Sequence, residues 1–177
     1  MEKNISTKPR YQRATKEKRL LHKNSEFAKI AEEIVASPGY EIIRHIDHHD
    51  ASIADHAVAV ALHSFNIACL CGLNQRLGDL TRGALLHDYF HYNWHVTRSS
   101  SGKLHGFHHP REALENAEIE YGPLSKVERD IILRHMWPLT PIPPRYPESL
   151  IVCIIDKAVA IRESWIAIRT GKGLGVL

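Results

Sequence analysis

Long apolar runs are missing from this 177-residue chain: an uninterrupted stretch such as Leu150 to Ile155 reaches six residues, whereas a bilayer span needs about 20. No membrane partner is expected. The first 23 residues lack an apolar core of the kind a secretory leader carries, so no leader is expected either. Cysteine is scarce and odd in number. Cys69, Cys71 and Cys153 lie inside apolar stretches, which predicts reduced core thiols in a cytoplasmic protein rather than a disulfide framework. Alternation of period two is absent, as is any internal repeat, so sheet and solenoid architectures are not expected. With 44% apolar and 24% charged residues the chain is not disordered throughout, and its length suits one domain.

What the chain has in quantity is histidine, 13 residues. Imidazole is the commonest metal ligand and titrates near neutrality. Positive charge is concentrated at the start: residues 1 to 23 hold eight Lys/Arg against Glu2 and Glu17, a local charge of +6. We read residues 1–24 as a basic extension and 25–177 as the folded domain. Such an arm suits nucleic acid or an acidic surface, but a solvated tail is the reading its composition favours.

The domain reads as helices separated by turns, giving an all-α bundle. Ser25 caps a helix with Phe27, Ile30, Ala31, Ile34 and Val35 on one face, ended by Pro38-Gly39. A long helix from Ser52 to about Cys71 is apolar on nearly every side and belongs in the middle of the bundle. The next starts near Leu77 and runs to His87-Asp88, breaking up in the aromatic stretch Tyr89 to His95; residues 97–107 form a polar loop. Pro110 suits a first helical position, which puts His109 at a helix mouth. Ser125 and Glu128 have capping-box spacing ahead of a helix ending at His135. Five prolines in 138–147 predict a stiff extended connection, and a last helix runs from near Glu148 to about Arg169.

Several polar side chains sit oddly in this bundle. Asp156 follows six apolar residues and precedes Ala158 to Ile161; Asp88 follows Ala84-Leu85-Leu86-His87; His56 lies inside the apolar helix; His135 shares a face with Ile131 and Ile132. An unpaired buried carboxylate costs several kcal/mol. Convergence on a metal ion removes that cost, because the ion's charge favours the carboxylates and neutral imidazole donates to it.

The order His56, His87-Asp88, His109, His135, Asp156 resembles the HD-domain superfamily of metal-dependent phosphohydrolases, over about Arg44 to Arg169. The strings Ala-Leu-Leu-His-Asp-Tyr-Phe, His-His-Pro-Arg-Glu-Ala-Leu, Arg-His-Met-Trp-Pro-Leu-Thr-Pro and Ile-Asp-Lys are similar to those of small bacterial HD-domain proteins of unassigned substrate. The resemblance implies that His56, His87, Asp88 and Asp156 ligate one ion, with Asp88 bridging to a second held by His109 and His135. His108 stands as the alternative to His109. The implied cofactors are two divalent transition metals, from Fe, Mn, Zn, Ni or Co.

The implied activity is hydrolysis of a nucleotide or other small phosphate ester by a metal-bound hydroxide. Asp88, His87 and Lys157 are the candidate catalytic residues. Arg111, Lys157 and His95 are the candidates for holding substrate, with Lys103 and Arg134 as further rim cations and Trp94 and Trp137 as base-stacking or packing residues. His63, two turns after His56, reads as a core histidine. Tyr89, Phe90 and His91 stand where cyclic-dinucleotide-cleaving relatives carry Ile-Gly and then lysine, which disfavours that substrate. Two other classes remain: a di-iron oxygenase on a similar ligand set, and a non-catalytic nucleotide-sensing module.

Overall fold

The computed structural model describes residues 25–48, 51–91 and 105–169. The basic extension 1–24, with Trp94, His95 and Lys103, lies outside the described residues. Helix α1 (Ser25–Val35) buries Phe27, Ala31, Ile34 and Val35, the i, i+3, i+4 stripe of the sequence. Pro38-Gly39 ends it as expected but also opens a helix the sequence reading missed, α2 (Pro38–Ile43). Pro38 needs no N–H in the first turn, and the Ser37 side chain accepts the Tyr40 N–H. A two-residue antiparallel ladder, Asp47–His48 with Ala51–Ser52, closes the turn into the next helix. It is too short to alter the class: the fold is all-α.

Helix α3 (Ile53–Leu70) is the central element. Ser52 and Asp55 form a reciprocal capping box, and eleven of its residues are buried, His56 among them. By length and composition it could cross a bilayer, yet most of it is buried inside the bundle. Helix α4 (Leu77–Leu86) packs on α3, and α6 (Lys126–Arg134) packs on α4. At Gly83 a Cβ would stand 2.8 Å from Ile131 Cδ1 and 3.2 Å from Glu128 Cα, so hydrogen alone permits this approach of α4 and α6. Helix α7 (Pro147–Arg169) lies against both α3 and α6.

Helix α5 (His105–Tyr121) starts five residues before the expected Pro110. His109 is therefore inside a helix and not at its mouth. Pro110 is tolerated because it sits early, where its missing N–H costs only the bond to the Gly106 carbonyl. The proline-rich connection is also not extended: it turns and bends, held by Arg145 N–H donating to Asp130 at 2.9 Å and Arg134 donating to the Pro143 carbonyl at 3.0 Å. Only Cys153 is buried; Cys69 and Cys71 are exposed, against expectation, because the chain from Cys69 to Gly72, where α3 ends, is open to solvent.

Candidate metal centre

Six side chains from five helical segments meet in the interior. His56 comes from α3, His87 and Asp88 from the turn after α4, His109 from α5, His135 from the end of α6 and Asp156 from α7, and all six are buried. His56 Nε2 lies 3.1 Å from Asp156 Oδ1, and His87 Nε2 lies 3.5 Å from Asp88 Oδ2 and 3.6 Å from Asp156 Oδ1. On the other side of Asp88, its Oδ1 is 3.2 Å from His109 Nε2 and 3.4 Å from His135 Nε2, and the two imidazole nitrogens are 2.8 Å apart. Asp88 is common to both groups, His56/His87/Asp88 and Asp88/His109/His135, and either group could hold a metal ion.

Hydrogen bonds to the backbone set which nitrogen faces inward. His87 Nδ1–H donates to the Ala84 carbonyl at 2.7 Å and His135 Nδ1–H to the Ile132 carbonyl at 2.8 Å. Each neutral ring therefore turns the Nε2 lone pair into the cluster. His87 Nε2 and Asp88 Oδ1 are buried without a hydrogen-bond partner among the described residues. Lone pairs of imidazole and carboxylate facing one another in a dry interior repel, and only a proton or a cation between them reverses the sign.

With protons as the only counter-charge, the cluster is strained. Burial opposes charging His56, but its hydrogen bonds to Asp156 and Glu163 outweigh that and raise its pKa to about 10. Burial pushes His135 the other way, down to about 3. Asp88 is held well below the usual carboxylate range: burial works against its ionisation, and His87, His109 and His135 overcome it. Asp156 is lowered likewise, against burial, by His56 and His87.

Spacing and donor type both fit a cation. Two donors each roughly 2.1 Å from one ion, at tetrahedral or octahedral angles, stand about 3.0–3.4 Å apart. The observed nitrogen–oxygen separations, 3.1–3.6 Å, run from inside that span to just above it. Four imidazoles and two carboxylates without thiolate suit the later first-row divalent metals.

The inward residue of the His108/His109 pair is His109; His108 is only partly buried and has none of these contacts. Lys157 is placed differently from a substrate-facing cation. Its Nζ donates to the His135 carbonyl at 2.6 Å and the Cys153 carbonyl at 3.1 Å, and is 3.9 Å from Asp156 Oδ2. It fastens the end of α6 to α7. Arg111 is exposed, roughly 200° around α5 from His109, and so is not brought to the cluster. Arg134 is paired with Asp130 at 2.5 Å. His63 is exposed and His91 packs edge-on against Tyr89 at 4.8 Å. Trp137 is partly buried, its carbonyl accepting from the Cys153 thiol.

One residue was not anticipated. Glu163 Oε2 accepts from His56 Nδ1 at 2.8 Å. The signal was in the sequence: Glu163 follows Asp156 by seven residues, two helical turns, and so shares its face. Comparison of the chain with protein-family models, with curated proteins and with solved structures finds no match.

Proposed function

We propose that the chain is a metal-dependent phosphohydrolase of the HD-domain kind, acting on a nucleotide or another small phosphate ester. The observation that carries this reading is the shared Asp88, flanked by His56, His87 and Asp156 on one side and by His109 and His135 on the other. In this reading the first four residues would hold one divalent transition ion, and Asp88 with His109 and His135 a second. Two such ions supply an activated water near neutral pH and neutralise phosphate oxygens.

The chain's own residues do the rest. The carbonyls of Ala84 and Ile132 and the Glu163 carboxylate fix the ring orientations of His87, His135 and His56. The apolar surroundings, with Phe90 edge-on to His109 at 5.7 Å, exclude bulk water and strengthen every charge interaction inside. Lys157 holds the His135 backbone and acts as a positioning residue. The hydrolysis needs no serine or cysteine nucleophile.

Protein loaded with Mn or Fe should release phosphate or a nucleoside monophosphate from a panel of phosphomonoesters, diesters and dinucleotides, and Asp88→Ala should abolish turnover. Inactivity on the whole panel contradicts the proposal. Oxygen uptake by iron-loaded protein without phosphate release would replace it with the oxygenase reading, and tight nucleotide binding without turnover with the sensing one.

A further inference from the structure

A cavity of about 390 Å³ opens between α5, α6 and the proline-rich connection. It lies on the outer side of the two turns that carry His109 and His135. Phe107 and Arg111 each stand two residues from His109, and Leu133 two from His135, so helical phase turns them away from the buried cluster. This volume falls in the range of small-molecule sites.

Its polar groups are unevenly committed. Arg134 is bonded to Asp130 and to the Pro143 carbonyl. Arg111 also lines the cavity but makes no ion pair or hydrogen bond among the described residues. The Thr140 hydroxyl, on the same wall, is buried and has no hydrogen-bond partner among the described residues. Opposite chemistry completes the wall: Phe107, Leu133 and Ile142 are all large apolar side chains left partly open to solvent.

From these groups we infer that the cavity binds a small organic anion, a phosphate or carboxylate carried on an apolar body. Arg111 takes the anion, since a guanidinium presents paired donors to either group. Phe107, Leu133 and Ile142 cover the apolar body. The site needs no metal and is independent of the phosphohydrolase reading.

The test uses the full chain, chelator-treated and dialysed, titrated with phenyl phosphate, benzoate and inorganic phosphate while backbone amide resonances are followed. Phenyl phosphate or benzoate should saturably shift the amides of Phe107, Arg111, Leu133, Thr140 and Ile142, with inorganic phosphate at least tenfold weaker. The tighter of the two organic probes tells phosphate from carboxylate. Arg111→Gln should weaken binding tenfold or more, and Ile142→Trp, which fills the cavity from an exposed position, should abolish it. Absence of binding by both organic probes overturns the inference. So does equal binding of inorganic phosphate, or binding indifferent to both substitutions.

Discussion

His56 has carboxylates at both ring nitrogens, Asp156 at Nε2 and Glu163 at Nδ1. In the proposed metal centre this arrangement makes one carboxylate a ligand's neighbour and the other its orienter. Removing an orienting carboxylate typically costs 10–100-fold in metal affinity. Glu163→Ala should therefore lower affinity by that factor in a chelator competition, while Glu163→Gln, which keeps an acceptor, should recover part of it. Protonation sets a second expectation. In chelator-treated protein His56 is raised to about 10 and His87 is also raised, so their contribution to stability is present below about 6.5 and is lost as pH rises toward 10. His135, lowered to about 3, and the depressed Asp88 and Asp156 act on the other limb: stability falls as pH drops below about 6.5 and further below about 4. Urea melts from pH 4 to 10 should show a maximum near neutrality without metal. A bound ion displaces the His56 proton, so the alkaline limb should flatten on loading; an unchanged limb would contradict a role for His56 as ligand.

The helices place these residues through local devices. Ser52 starts α3 four residues before His56, and Ser125 starts α6, whose end is His135. Replacing either serine by alanine should cost about 1 kcal/mol in chemical denaturation. A partly buried polar network ties α2 to the chain after α4 and to α5: Tyr89 donates to Glu120 at 2.5 Å, Gly39 N–H donates to the same carboxylate at 3.1 Å, and Asn116 donates to the Tyr89 carbonyl at 3.1 Å. A Cβ on Gly39 would land on the Tyr89 hydroxyl and the Glu120 carboxylate. Gly39→Ala should destabilise by about 1–3 kcal/mol, read as a lower urea midpoint; an unchanged midpoint would show that the network yields freely. Elements announced by a hydrophobic period or a capping box, α1, α3, α4, α6 and α7, were legible in the sequence. Helix α2 was not, because a proline serves equally as the stop of one helix and the start of the next. The start of α5 was misplaced for a related reason: the sequence cannot show that losing a single bond at Pro110 is outweighed by the rest of a 17-residue helix.

At the scale of the whole molecule, five segments separated by up to a hundred positions deliver their histidine and aspartate side chains to one place. That convergence was legible because burying acids and imidazoles in apolar helices demands compensation, and the demand is visible residue by residue at His56, Asp88, His135 and Asp156. Interactions that depend on helix phase across the fold were less visible. Glu163 was overlooked, Lys157 proved to hold a carbonyl, and Arg111 faces the outer cavity. In the proposed function Asp88 joins two cation positions. Metal analysis of anaerobically purified protein, paired with calorimetric titration of the wild type and Asp88→Ala, tests it most directly. The expected result is two transition-metal equivalents per chain in the wild type and a loss of occupancy at both positions in the variant. Asp88→Ala that folds and retains two equivalents, or a wild type that binds none, would contradict it.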